Sequence, residues 1–301
     1  MNQEPVGVIG LGAIGGGVAR SLLNAGLRVY GCDLNPDAVT LFTEAGGQAA
    51  ASPADVGAAS RVVFLFVINA GQARTVLFGD SGLADSMPND GVVISCVTMA
   101  PTEAAAIGEE LNAKGIRMID APTSGGAANA AIGKTKFMAA GAPDAIDSAA
   151  FALEAAADTV YRVGDAVGQG SAVKVVHQLL AGVHISAAME AMALGMKMDI
   201  DPTALYEVVT GCAGNSWMFE NRVPHVLDGD YTPLSSVEIF VKDLGLVLDA
   251  GRQERFPLPL AAAAHQQFLA ASAAGYGLED DAAVIKVYAD LAGLKIPEGK
   301  A

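Results

Sequence analysis

Val6-Gly7-Val8-Ile9-Gly10-Leu11-Gly12-Ala13-Ile14-Gly15 is the stretch on which the fold turns. An apolar run, Val6–Gly10, breaks on glycines and passes into the helical pattern of Ile14–Ala25. Gly10 permits a tight turn, Gly12 sets no side chain against a pyrophosphate, and Gly15 lets helix and strand pack closely. The helix start offers unpaired N–H groups to phosphate. A glycine-rich strand-to-helix turn looks the same in isolation, so context decides. The motif lies between strand and helix, and a second strand, Arg28–Cys32, follows at once and ends in Asp33. That spacing is close to the ~20 residues expected of an acid that bonds ribose hydroxyls. A carboxylate there repels a 2′-phosphate, so the residues imply NAD rather than NADP, held by Gly10, Leu11, Gly12, Ala13, Ile14, Gly15 and Asp33. Asp33 also reads as a helix N-terminal acid, since Asn35-Pro36 follows, and the two roles are compatible.

Outward from this motif the first half alternates strands with helices. Further strands are expected at Val62–Val67, Val92–Ser95, Arg117–Asp120, Lys136–Ala139 and Thr159–Val163. Helices are expected at Pro36–Ala45, Gln72–Phe78, Thr102–Lys114 and Ala145–Ala156. Alternation of this kind implies a doubly wound, mostly parallel sheet, and the unbroken apolar strands suit burial on both faces. After Gly164 the strand signal stops. Ser171–Asp199 reads as one long helix, apolar on nearly all sides and so expected to be buried in protein. Helical segments follow at Pro202–Val209, Pro233–Arg252, Pro259–Ala274 and Asp281–Ala292. The expectation is an α/β Rossmann domain over residues 1–164 and an all-α domain over 165–301.

Composition narrows the function classes. A net charge of −15 argues against nucleic acid, whose phosphates need clustered Lys and Arg. The acidity reads as solubility, and a few cations in a cleft still accommodate an anionic substrate. Cys32, Cys96 and Cys212 have no metal-like spacing, and four scattered histidines suggest no metal site. Asn2-Gln3-Glu4 leads straight into a strand, and apolar runs such as Val62–Ile68 fall short of the ~20 residues of a membrane span. The expectation is a cytoplasmic protein with no membrane partner.

Hydride transfer from an alcohol needs a base for the hydroxyl proton. Lys174, in Gly168-Gln169-Gly170-Ser171-Ala172-Val173-Lys174, starts the long apolar helix, where lost solvation is expected to lower its pKa. It reads equally as a snorkelling lysine at a helix end. Gln178, four residues on and beside His177, shares its face and is placed to hold a substrate or the amine, so Gln178 and His177 are candidate substrate-binding residues. In Asp120-Ala121-Pro122-Thr123-Ser124-Gly125-Gly126, Ser124 and the N–H groups of Gly125 and Gly126 form either a carboxylate nest or an ordinary turn. Asn69 and Thr98 close two strands, as cofactor contacts or as loop residues and caps. Lys242-Asp243 reads as a surface charge pair, Trp217 as interdomain packing, and His177 and His184 as core histidines.

Taken together, these pieces resemble the β-hydroxyacid dehydrogenase family, which includes 3-hydroxyisobutyrate dehydrogenase, tartronate semialdehyde reductase and relatives of 6-phosphogluconate dehydrogenase. The likeness covers nearly the whole chain, with Gly10–Gly15, Asp120–Gly126, Gly170–Lys174 and Lys242–Leu246 in family order. It implies Lys174 as the catalytic lysine and Ser124, Gly125 and Gly126 as the substrate-binding residues. It also implies Thr98 and Lys242 at the nicotinamide end, and a homodimer or homotetramer paired through the helical domains. Where the family has two asparagines this chain has His177 and Gln178, and where it has valine this chain has Thr123. Both departures favour a more hydroxylated acid. Gly211–Arg222 is similar to the branch that oxidises four-carbon sugar acids, implying dehydrogenation of L-threonate to a 2-oxo acid, 2-oxo-tetronate. Rivals are a 3-hydroxyisobutyrate or tartronate semialdehyde enzyme, an imine reductase, and a non-catalytic nucleotide-sensing module.

Overall fold

The computed structural model describes residues 4–297 and 299. Its residues divide into two compact units, Met1–Lys174 and Val175–Ala301. The division falls later than the break expected after Gly164. The first turn of the long helix is anchored in the N-terminal unit by hydrogen bonds from Gly168 and Ser171 to Asp120.

In the first unit, β1 (Val6–Ile9), α1 (Ala13–Asn24), β2 (Val29–Cys32), α2 (Pro36–Glu44) and β3 (Gln48–Ala49) are followed by α3 (Pro53–Ala59), β4 (Val62–Leu65), α4 (Ala70–Phe78) and β5 (Val92–Ser95). Then come α5 (Pro101–Ala113), β6 (Arg117–Asp120), β7 (Thr123–Ser124), α6 (Gly126–Ala131), β8 (Lys136–Ala140), α7 (Pro143–Ala156) and β9 (Thr159–Gly164). The strand order is β3-β2-β1-β4-β5-β6-β8-β7, with β9 also paired to β8. Pairing is parallel from β3 to β6, and β8 runs antiparallel to β6 and β7.

Alternate residues of the central strands feed two cores, which is why these strands read as unbroken apolar runs. Val8, Phe64 and Ile94 pack with α1 and α7 through Val18, Leu22, Ile146 and Leu153. Ile9, Val63, Leu65 and Val93 pack on the other face with α3, α4 and α5 through Val56, Leu77 and Ile107. Three helices start on side-chain caps that satisfy a first-turn N–H: Asn35 for α2, Ser52 for α3 and Asn69 for α4.

The long helix α8 (Gln169–Lys197) precedes α9 (Pro202–Thr210), α10 (Trp217–Asp228), α11 (Val237–Gln253), α12 (Pro259–Ala271) and α13 (Val284–Ala292). Ile185, Met189 and Met192 of α8 pack with Val223, Phe240, Leu244, Phe268 and Ile285 in the core of the second unit. Phe240 stacks on Phe268 at 5.1 Å. Contrary to the expectation of burial on all sides, Val176, Leu180 and Leu194 of α8 are exposed. By length and composition α8 is also long and apolar enough to cross a membrane, with half of its most apolar window buried in the fold.

Helix α10 lies where no helical segment is expected, and it carries Pro224 in its interior. The proline removes the N–H that would bond Glu220 O one turn back. The Tyr206 hydroxyl donates to that carbonyl instead, at 3.2 Å.

Candidate active site

Parallel pairing brings the strand ends into one row. Cys32 aligns with Ile9, Ile9 with Leu65, Leu65 with Ser95, and Ser95 with Asp120. The residues that follow them therefore share the carboxyl edge of the sheet, where ligands of open α/β folds bind.

At one end of the edge is the glycine turn. Gly10 has φ +87°, and a Cβ there would lie 1.8 Å from Phe66 O. A Cβ on Gly15 would lie 1.9 Å from Gly10 O, so helix and strand meet at a distance only glycine allows. Gly12, by contrast, has no atom within 4 Å of the Cβ position. It is the N-cap of α1, makes no side-chain cap bond, and is followed by no acid in the first turn. The open approach to a helix N-terminus fits a dinucleotide's pyrophosphate. Asp33 ties the turn to β2, accepting from Leu11 N at 2.6 Å and from Asn35 N at 2.7 Å. Asn69 proves to be a helix cap, accepting from Gln72 N at 2.9 Å. Thr98 is half-buried between β5 and α5.

Further along the edge, past β6, is a second cluster. Asp120 is fully buried and accepts from Gly168 N at 3.0 Å, Ser171 N at 2.7 Å and Ser171 Oγ at 2.8 Å. Burial pushes its pKa above the usual carboxylate value, opposed by the bonds from Ser171 and Gly168. A Cβ on Gly170 would lie 2.3 Å from Asp120 O and 2.6 Å from Met138 O, so the start of α8 sits directly on the strand ends. One turn on, Lys174 is 7% exposed, and its Nζ donates to Thr123 O at 2.7 Å. That carbonyl immediately precedes Ser124, which pairs with Lys136 across β7 and β8. Gly125 and Gly126 have φ of +114° and +65° and turn the chain into α6. The structure thus gathers the predicted Lys174, Ser124, Gly125 and Gly126. An amine bonded to the carbonyl that precedes a serine and two glycines has the composition of an acid–base site for a small anion.

The second unit holds a buried network of its own residues. Gln178 Nε2 donates to Asp243 Oδ2, and Gln178 Oε1 lies 2.9 Å from His177 Nδ1. Lys242 Nζ lies 2.6 Å from Asp243 Oδ1. Asp243 is 2% exposed, so Lys242-Asp243 is not the surface pair expected of two adjacent charges on a helix. His177 and His184 are half-buried rather than core residues. Trp217 is not buried packing either. It is 55% exposed and lines a cavity of about 410 Å³ with Tyr206, Thr210, Glu220 and Asn221.

Asp120 and Ser171 lie inside the motifs with no role expected of either, and Asp243 is expected only as half of a surface charge pair. An acid closing an apolar strand is the one available signal for Asp120, because an unsolvated carboxylate requires donors.

Residues 5–164 match the family model described as the NAD binding domain of 6-phosphogluconate dehydrogenase. Residues 168–288 match the one described as NAD-binding of NADP-dependent 3-hydroxyisobutyrate dehydrogenase. L-threonate dehydrogenase of Cupriavidus necator is 56% identical over 296 residues, covering 98% of each chain. The mitochondrial 3-hydroxyisobutyrate dehydrogenase of Homo sapiens is 32% identical, covering 95% of this chain and 87% of its own. A crystal structure described as 3-hydroxyisobutyrate dehydrogenase from Salmonella typhimurium superposes with a TM-score of 0.90 at 50% identity, covering 95% of this chain and 100% of that one.

Proposed function

Because this chain belongs to the β-hydroxyacid dehydrogenases, the family of 3-hydroxyisobutyrate and 6-phosphogluconate dehydrogenases, we propose that it oxidises L-threonate with NAD and that Lys174 accepts the hydroxyl proton. The observation that carries the reading is the placement of Lys174 Nζ 2.7 Å from Thr123 O, next to Ser124 and at the carboxyl edge of the sheet. The substrate follows from 56% identity to an L-threonate dehydrogenase, against 32% to a 3-hydroxyisobutyrate dehydrogenase.

In this reading Ser124, Gly125 and Gly126 hold the acid's carboxylate. Lys174, acting as the free amine, takes the O–H proton while the C–H bond breaks with its electron pair and the C=O bond forms. A bound nicotinamide supplies the hydride acceptor. In the reverse direction the Lys174 ammonium returns the proton. Gly10, Leu11, Gly12, Ala13, Ile14 and Gly15 hold the pyrophosphate, with Thr98 further along the same edge. Asp33, at the end of β2, would select NAD over NADP, since a carboxylate there accepts from ribose hydroxyls and opposes a 2′-phosphate. Proton transfer by a positioned group contributes about 10²–10⁴-fold, and positioning supplies the rest. Self-association as a homodimer or homotetramer, and a cytoplasmic location, belong to the same reading. The exposed Val176, Leu180 and Leu194 on α8 support the first.

The test is NADH formation over a panel of L-threonate, D-threonate, both erythronates, 3-hydroxyisobutyrate and glycerate. The highest kcat/KM is expected for L-threonate. A maximum on 3-hydroxyisobutyrate would replace the substrate, and no turnover on any acid would favour a nucleotide-sensing module.

A further inference from the structure

Asp120 has no place in the reaction just described, yet it is fully buried and bonded entirely to the start of one helix. Burying a carboxylate costs free energy unless donors surround it. Here the partners are two backbone N–H groups and one hydroxyl, all from residues 168 and 171. Both backbone donors reach Oδ2, so the acid faces donors rather than acceptors. Two further contacts close a ring. Gly170 lies against Asp120 O so tightly that a Cβ would be 2.3 Å away. Lys174, one turn beyond Ser171, returns to the same strand segment through its bond to Thr123 O. From Asp120 the chain runs to Thr123, across to Lys174, down α8 to Ser171, and back to Asp120.

We infer that Asp120 is a positioning residue for the reaction: by clamping the first turn of α8 it fixes where the Lys174 amine stands relative to Ser124. This rests on the role given to Lys174 above. Without the clamp, α8 keeps its helical bonds, but its first turn is no longer tied to the end of β6. A misplacement of about 1 Å at a reacting group costs about 10²-fold in rate.

The experiment is a double-mutant cycle in the full-length protein with Asp120→Asn, Lys174→Ala and the double variant. The readouts are kcat and KM for L-threonate, read separately, and NADH affinity by fluorescence. Asp120→Asn is expected to keep NADH affinity within about threefold and lose about 10²-fold in kcat, with a smaller change in KM. In the Lys174→Ala background the same substitution is expected to cost nothing further, because Asp120 acts through the lysine. Ser171→Ala, which removes only the hydroxyl donor, is expected to fall in between and guards against a misfolded Asp120→Asn. Undiminished kcat in Asp120→Asn, or an equal loss in both backgrounds, would overturn the positioning role. Undiminished turnover in Lys174→Ala alone would instead overturn the reading on which it rests.

Discussion

Alanine at Gly12 and alanine at Gly15 are the same chemical change three residues apart, and the structure assigns them different consequences. A Cβ on Gly12 meets nothing within 4 Å, and the backbone there, φ −62° and ψ −169°, suits any residue. Gly12→Ala therefore disturbs no protein contact and alters only the N-cap, a change of about 1 kcal/mol or less. What it obstructs is the approach of phosphate to the first turn of α1. Loss of one charge-assisted hydrogen bond is worth about 1.5–3 kcal/mol, or about 10- to 150-fold in Kd. Gly15→Ala puts a Cβ 1.9 Å from Gly10 O, well inside the 3.4 Å at which ordinary contact begins. The helix must move off the strand by about 1.5 Å, and overpacking of that kind costs about 1–3 kcal/mol. At about 2–4 °C per kcal/mol for chains of this size class, its melting temperature drops by several degrees. The assay is an NADH fluorescence titration beside thermal melting without nucleotide. Gly12→Ala is expected to melt like the parent and bind NADH weakly, while Gly15→Ala loses both. Parental NADH affinity in Gly12→Ala, or a fall in its melting temperature as large as that of Gly15→Ala, would refute the placement of the pyrophosphate.

Other outcomes follow from the same coordinates. Asp33→Ala is expected to shift the NAD:NADP ratio of kcat/KM toward NADP by at least about tenfold, since a like charge no longer opposes the 2′-phosphate. It also raises KM for NAD, because Leu11 N loses its acceptor. A thiol reagent at pH 8 is expected to modify one of the three cysteines in the native protein and all three after unfolding. Cys212 is exposed, whereas Cys96 is buried and burial raises the Cys32 thiol to about 11. In the second unit, burial raises Asp281 to about 7 against the pull of Arg222, whose Nε lies 2.5 Å from Oδ1. The folded state then binds more protons than the unfolded state between about pH 4 and 7, so stability falls as pH rises through that window. Melting temperatures from pH 5 to pH 8 are expected to decline, and Asp281→Asn is expected to flatten the decline.

The sheet was legible in the sequence because each central strand feeds two cores and has no solvent face to interrupt its apolar run. The glycine turn was legible because steric demands at Gly10 and Gly15 admit no other residue. Two-residue strands such as Gln48–Ala49 and Thr123–Ser124 carry no pattern, and α10 carries Pro224 in its interior. The Asp120 clamp joins groups 48 and 51 residues apart, which no local signal reports. For the same reason Lys242-Asp243 read as a surface pair, since the burying partner, Gln178, lies on a different helix. Lys174 was recognisable from its place at the start of an apolar helix, but its acceptor, Thr123 O, emerged only with the fold.

The most direct measurement is the single-turnover rate of NADH formation from L-threonate in Lys174→Ala at saturating NAD. The account predicts unchanged nucleotide affinity and a rate lower by about 10²–10⁴-fold, partly restored by added small primary amines. A rate within a few-fold of the parent, indifferent to added amine, would contradict it.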